Sequence, residues 1–392
     1  MREHTVTEDE RRDGSPAGWR RVRLGALCDI VAQQVDPKIP EYGALPHVNG
    51  ENIESGTGRM YNVKSAASDG MTSGKYLFEA GDVLYSKLRP YLRKVALAPT
   101  RGVCSADMYP IRCDPEKLVP EFAVWLLLSD AFTSYADAES RRARMPKINR
   151  DQLFAWEASL PPPIEQRRIL ALLQDKMAAI EKAKKAAEAQ VEGLQDLLEA
   201  ALRASMGDGE GTTARLSDCL VEVTAGVGDT WKDHKVLGAT REGLANAKEG
   251  VGKQPQRYKP VAPGTIFYNP MRILIGSIAM VDIDDEPGIT SPDYVVLRGK
   301  PGVLHHRYFY YWLRSRAGAA FIKTLARGAV RERKLFQRLA SGIVEIPSWK
   351  AQERFAAKAL EIRTAQQKLA EQLSAINALP AALLRQAFRG EL

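Results

Sequence analysis

Two stretches of the chain place apolar residues at alternating intervals of four and three. In the first, Leu173, Met177, Ile180, Ala187, Val191, Leu194, Leu198 and Ala201 keep the spacing, interrupted by Lys184. In the second, Phe355, Ala359, Ile362, Leu369, Leu373, Ile376, Leu383 and Ala387 repeat it, with Gln366 and Pro380 as the exceptions. A sustained 3.5-residue period with charged residues between is what a coiled-coil helix needs to bury one narrow stripe. The pattern predicts spacer helices over 161–206 and 346–392. At about 1.5 Å per residue each is a rod of roughly 60 Å, too narrow to form a core alone. The two are therefore expected to pair antiparallel along Leu173, Ile180, Val191, Leu194 and Leu198 on one and Ile362, Leu369, Leu373 and Ile376 on the other. Lys184 and Gln366 are expected to fix the register, as single polar seam residues can.

The rest of the chain switches to short apolar runs and turn signals. "WRRVRLGALCDIV" (19–31) reads as a strand and a helical turn, and 32–75 as long loops with little regular structure. "YLFEAGDVLYSKLRPYLRKVALA" (76–98) alternates around Gly81-Asp82, as strands joined by a tight turn do. Residues 104–112 read as another strand, and 120–135 as one helix with Pro at its first turn. "FAWEASLP" supplies a last strand before the first long helix.

This order then recurs. "RLSDCLVEV" (215–223) answers "RLGALCDIV" (23–31), and "APGTIFYNPMR" (262–272) answers "EAGDVLYSKLR" (79–89). "TSPDYVVLR" (290–298) answers "CSADMYPIR" (104–112), and "YFYYWLRS" answers "EFAVWLLLS" with Trp312 matched to Trp125. At the helix entrances Glu165-Gln166-Arg167 is matched to Gln352-Glu353-Arg354. One module used twice with its loops changed is the simplest reading. It gives a disordered lead-in (1–18), a first globular domain (19–160), a spacer helix (161–206), a linker (207–213), a second domain (214–345) and a second spacer helix (346–392). The fold class expected is α+β: two similar α/β domains and two long antiparallel helices, related by an internal pseudo-two-fold repeat.

Composition changes this picture little. With 45% hydrophobic and 27% charged residues the chain resembles ordinary globular protein, and no apolar run is long enough for a membrane span. The charged N-terminus has no apolar core of the kind a secretory signal carries. Cys28, Cys104, Cys113 and Cys219 form no CxxC pair, which favours a reducing compartment, the cytoplasm, and argues against zinc. The net charge of +8 matters mainly through where it sits.

Basic residues cluster at corresponding places. One loop holds Arg141, Arg142, Arg144, Lys147 and Arg150; its counterpart holds Arg327, Arg331, Arg333, Lys334 and Arg338. The turn after the central strands holds Lys87, Arg89, Arg93 and Lys94, answered by Asn269 and Arg272. Arg reads guanine or clamps phosphate, Lys mostly serves phosphate, and Asn reads adenine. The dissimilar loops add Asn49, Asn52, Arg59, Lys64 and Lys75 in the first half, and Lys248, Lys253, Gln254, Gln256, Arg257 and Lys259 in the second. A charge run is also how a merely solvated face looks. No catalytic or metal-binding set is expected. "TAGVGDT" lacks the Gly-Lys-Ser/Thr of a phosphate loop. Asp293 with Glu332 and Lys334 imitates a PD…ExK nuclease site, but the first half has no such set.

The Pro-rich entrance "LPPPIEQRRI", the paired "GDVLYSKLRP" and "GTIFYNPMRI", and the final "AFRGEL" together resemble the DNA-specificity subunit of type I restriction–modification systems. The resemblance runs from Trp19 to Leu392 and implies that each domain is a target-recognition domain for one half of a split double-stranded DNA sequence. It further implies that the helices are a spacer and dock two methyltransferase subunits, to which motor-nuclease subunits add. S-adenosylmethionine, ATP and Mg would belong to those partners, and this chain would not be an enzyme. A specificity subunit of a type IIB-like enzyme, or a structural coiled-coil adaptor, are the alternatives.

Overall fold

The computed structural model describes residue 16 and residues 18–140, 146–207, 209–248, 250–325 and 336–392. Two compact units account for it: 1–185 with 373–392, and 186–372. Each therefore contains part of both long helices.

In the first unit the strands are β1 (Arg20–Arg23), β2 (Cys28–Ile30), β3 (Gln34–Val35), β4 (Pro46–Val48), β5 (Lys64–Ser65), β6 (Lys75–Phe78), β7 (Val83–Ser86), β8 (Val95–Leu97), β9 (Gly102–Cys104), β10 (Met108–Cys113) and β11 (Glu157–Leu160). The helices are α1 (Pro40–Gly43), α2 (Pro120–Leu128), α3 (Asp130–Ser140), α4 (Arg150–Ala155) and the start of α5 (Pro163–Met206). Strand β1 pairs with β11; a second sheet runs β2-β10-β7-β8 and a third β3-β6-β9-β4-β5. The third sheet is mixed, with β4 parallel to β9 and the other pairs antiparallel.

The second unit continues with β12 (Thr212–Arg215), β13 (Leu220–Glu222), β14 (Lys235–Ala239), β15 (Leu244–Asn246), β16 (Lys259–Val261), β17 (Thr265–Tyr268), β18 (Ile278–Val281), β19 (Gly288–Thr290), β20 (Val295–Gly299) and β21 (Ile343–Ile346). Its helices are α6 (Leu216–Cys219), α7 (His306–Arg314), α8 (Arg316–Thr324), α9 (Phe336–Ala340) and the start of α10 (Trp349–Ala387). The sheets repeat those of the first unit: β12-β21, then β13-β20-β17-β18, then β15-β14-β19-β16 with β14 parallel to β19. Only β3 has no counterpart among the described residues. The duplication seen in sequence is thus a duplication of topology.

Why the central strands read as unbroken apolar runs is now clear. In β7, Val83 and Tyr85 face a core made with α2 and α3, while Leu84 faces the mixed sheet. In β17, Ile266 and Tyr268 face the helices, and Phe267 the other side. A strand covered on both faces loses the polar alternation of a half-exposed one. The long helices complete these cores. Leu170 and Leu173 of α5 join Leu383, Leu384 and Ala387 of α10 in the first unit. Leu198 and Leu202 join Phe355, Ala359 and Ile362 in the second. In each unit the start of one helix meets the end of the other, as antiparallel pairing requires. Leu369 and Ile376 are buried too, Ile180, Leu194 and Leu373 partly so. Val191 is 37% exposed and lies at the margin of the stripe, contrary to expectation. Its neighbours Ala187, Leu198 and Leu202 carry the burial instead. Helix α10 runs through Pro380 without ending.

Several local readings change. Residues 32–75 are mostly turns and loops, as expected, but carry the short strands β3, β4 and β5 of the mixed sheet, too brief to show a period. Strands β6 and β7 are joined at Gly81 (φ 88°) but enter different sheets, so they are not a hairpin. The strand expected over 104–112 is two, β9 and β10, again in different sheets. The single helix expected over 120–135 breaks at Ser129, whose ψ of 153° is extended and whose Oγ accepts the Phe132 N–H. Ser315 does the same in the second unit, accepting from Gly318 N. Because Ser129 and Ser315 correspond, Trp312 matches Leu126 rather than Trp125.

Gly102 and Gly288 open the middle strand of each mixed sheet. A Cβ on Gly288 would lie 2.5 Å from Lys235 O, and one on Gly102 2.8 Å from Pro46 O. The parallel neighbour can approach only a strand without a side chain there. Gly288→Val is expected to destabilise the second unit by about 3 kcal/mol, the upper part of the overpacking range. Urea unfolding of the full chain measures it.

Candidate nucleic-acid interface

In the first unit the structure brings the two basic groups together. After β7 the chain makes a turn in which Arg89 (φ 51°) and Arg93 (φ 49°) both adopt the left-handed region around Pro90–Leu92. That conformation costs a non-glycine residue about 1–2 kcal/mol, so surrounding bonds must hold it. Arg89 N donates to Pro146 O, Ile148 N donates to Lys87 O, and Leu88 bridges Lys147. The end of the basic loop is thereby zipped to the turn.

The side chains divide into two groups. Lys87 is buried and its Nζ donates to Ala106 O; burial, and then the neighbouring Lys147 charge, push its pKa down. Lys94 Nζ donates to Gly50 O and Ile53 O, and Arg93 Nη2 lies 2.7 Å from Asp130 Oδ1. These three cations hold the turn in place and are committed inside the unit. Arg89 and Lys147 are exposed and pair with no described side chain, and Tyr91 in the same turn as Arg89 is 50% exposed. They form the free basic edge. Arg141, Arg142 and Arg144 lie outside the described residues, as do Arg327, Arg331, Arg333 and Lys334, and with them Glu332 of the nuclease-like pattern.

In the second unit Asn269 follows β17 and its Oδ1 accepts Met271 N, which leaves the amide NH2 of Asn269 to donate elsewhere. Arg272 is exposed and pairs with no described residue. Both line a cleft beside the β14–β15 hairpin. Lys259 Nζ instead donates to Tyr294 O, with its pKa lowered by burial, and Arg257 Nη1 donates to Gln254 Oε1. Of the loop candidates, Asn49 and Asn52 cap the turn between them. Lys75 Nζ is held by Ser73, and Arg59 lies 3.6 Å from Glu181 of α5.

The sequence reading missed what fastens the long helices. Gln166 is fully buried: its Oε1 accepts Val119 N at 2.9 Å, and its Nε2 donates to Lys117 O and Pro161 O, each at 2.9 Å. Gln352 repeats the set on His305 N (2.8 Å), Val303 O (3.0 Å) and Pro347 O (2.9 Å). The two glutamines are therefore equivalent, and the entrance match proposed from sequence is one residue out of step. The shared signal is Pro161 and Pro347, each five residues before its glutamine. A second fastening is ionic. Asp130 bridges Arg93 and Arg385 of α10; Asp282 bridges Arg307 (2.6 Å) and Arg363 of α10 (3.0 Å), which also meets Asp285.

Among the described residues no group of three or more His, Cys, Asp and Glu is placed to hold a metal ion, and no helix is long and apolar enough to cross a membrane. The four cysteines are buried free thiols.

The two units share one repeated module, in which a glutamine pins a long helix beside the sheets. Comparison with known proteins identifies the domain of the first unit. Residues 16–190 match the type I restriction modification DNA specificity domain. Over 195 residues, 49% of this chain and 43% of the relative, the sequence is 35% identical to the type I restriction enzyme EcoDI specificity subunit of Escherichia coli. The match thus spans less than half of that relative's length. The fold is that of a chain from a structure of complex assembly and conformational transition in the type I R-M system (TM-score 0.71, 20% identity, 96% and 99% of the two chains). It is also that of the HsdS subunit from Thermoanaerobacter tengcongensis (TM-score 0.61, 21% identity, 96% and 98% covered). Residues 16–190 are therefore identified as a type I restriction modification DNA specificity domain, and the whole chain has the fold of these two structures.

Proposed function

We propose that this chain binds a bipartite, asymmetric double-stranded DNA target, each unit reading one half, and directs partner adenine methyltransferase subunits to it. The observation that carries the reading is the repeated turn after β7 and after β17, which in both units offers an exposed arginine, Arg89 or Arg272, on a duplicated frame. Two similar but unequal readers suit a target with two unequal halves. The chain itself is non-catalytic in this proposal. S-adenosylmethionine, ATP and Mg belong to the partners, two methyltransferase subunits and added motor-nuclease subunits, in the cytoplasm.

Selection of bound duplexes from a random library tests it. The full chain, with its methyltransferase if required, should enrich two short blocks at a fixed separation. Exchanging residues 214–345 for those of a relative should change one block only; a change in both blocks would overturn the reading. Changing Arg89 and Lys147 together to Ala should flatten the salt dependence of binding, by about 0.9 in log–log slope for each phosphate no longer neutralised.

A further inference from the structure

The cleft beside Asn269 and Arg272 has features that the proposed function does not use. Its volume is about 550 Å³, and its walls are the β14–β15 hairpin and the turn between β17 and β18. Among the described residues three cations line it, Arg241, Lys248 and Arg272, and no carboxylate does. The other large cleft of this unit, against the long helices, is lined by Glu199, Glu242 and Asp285 as well as arginines. Of the two, only the first complements a polyanion.

The hairpin tip is also held rigidly. Arg314, at the end of α7, spends one guanidinium on three carbonyls: Nη2 donates to Arg241 O at 2.5 Å, and Nη1 to Gly276 O at 3.2 Å and Ile278 O at 2.9 Å. Ser277 Oγ donates to Ala239 O at 2.7 Å in the buried base of the cleft. The two walls are therefore tied to each other through their backbones, while the side chains of Arg241 and Asn246 are exposed and bonded to no described residue. Ile275, 67% exposed, stands on the rim.

We propose that this cleft is the base-reading site of the second unit: Arg241 and Asn246 on the hairpin, with Asn269 and Arg272 opposite, take the major-groove edge of a duplex. The residue types match the chemistry. Arg pairs with guanine O6 and N7, Asn with adenine N6 and N7, and an exposed aliphatic such as Ile275 covers a thymine methyl. Arg314 is a positioning residue that touches no base. The inference rests on the proposed DNA-binding function and assigns residues within it.

The test repeats the library selection with the full chain carrying Arg241→Ala, Asn246→Ala or Arg241→Lys. Arg241→Ala should relax preference at one or two adjacent positions of one block, leave the other block intact, and weaken binding to the parent site roughly 5- to 150-fold. Arg241→Lys keeps the charge but not the fork, so it should relax the same positions with a smaller loss of affinity. Arg314→Gln should broaden the same block while its phosphate-dependent salt slope is kept. Uniform weakening over all sequences, rescued by Lys, would reduce Arg241 to a phosphate clamp and overturn the assignment. So would unchanged selection by both Ala variants. Failure of the parent chain to select any sequence would instead strike the DNA-reading function, and the assignment with it.

Discussion

Gln352→Ala is expected to destabilise the second unit by about 3–5 kcal/mol. The substitution strands one buried N–H, of His305, and two carbonyls, of Val303 and Pro347. Each unmade bond to a buried group costs about 1–3 kcal/mol, and a water entering the vacated space returns part of it. The isosteric Gln352→Glu separates packing from hydrogen bonding. It keeps an acceptor for His305 N but removes both donors and sets a carboxylate against two carbonyl oxygens. At neutral pH it should be no more stable than the alanine variant. Protonation at low pH restores one donor, so its deficit should shrink there. Urea unfolding by circular dichroism gives the size of the loss, and hydrogen exchange at His305 assigns it to this joint. An unaltered unfolding curve for both variants would remove the glutamine from the account of how α10 is held.

The second large effect is expected at Asp282. Its side chain is 1% exposed and its partners Arg307 and Arg363 are 11% and 21% exposed. Burial alone would raise its pKa. The hydrogen bonds from Arg307, the Ile283 N–H and Arg363, with the Arg307 charge, outweigh that and hold the carboxyl below the usual range. Asp282→Ala leaves the buried Arg307 guanidinium without its carboxylate, while Arg363 keeps Asp285, and should cost about 3 kcal/mol. The sign of the pH dependence follows from the depressed value. The contribution is complete above the unfolded-chain pKa of about 3.9 and is lost as pH falls through the lower value of the folded chain. Stability of the parent chain should therefore drop below about pH 4 more steeply than that of the variant. The corresponding bridge at Asp130 is open to solvent, with side-chain exposures of 38%, 31% and 50% for Asp130, Arg93 and Arg385. Screened pairs of that kind contribute about 0–1 kcal/mol, so Asp130→Ala should be nearly silent.

What could be read from sequence was set by the length of the signal. The helices α5 and α10 sustain their period over many turns, so their existence, direction of burial and pairing were legible from Leu173 and Ile362 outward. The repeat was legible too, because β7 and β17 keep the same apolar run. The mixed sheets were not, since strands of two to four residues such as β4 and β5 are defined by distant partners and carry no period of their own. The break at Ser129 was hidden because an apolar helix and its successor read as one run. For the candidate interface, charge marked the turns but could not say which cations are spent internally. Lys87, Lys94 and Lys259 look like Arg89 in sequence; only carbonyls brought from far along the chain distinguish them. Gln166 and Gln352 were visible as a shared letter, yet nothing local marks a glutamine as buried.

The division of α10 between the two units sets an order of assembly. Residues 186–372 form one unbroken stretch, whereas the first unit needs residues 373–392. The second unit can therefore close from a contiguous segment, whereas the first must also bring in a segment from far along the chain, which costs more loop-closure entropy. Until the last residues dock, the core around Phe122 lacks Leu383, Leu384 and Ala387 and remains an unsealed apolar surface. A premature stop near residue 372 would leave the distal half sound and the proximal half open to chaperones and proteases.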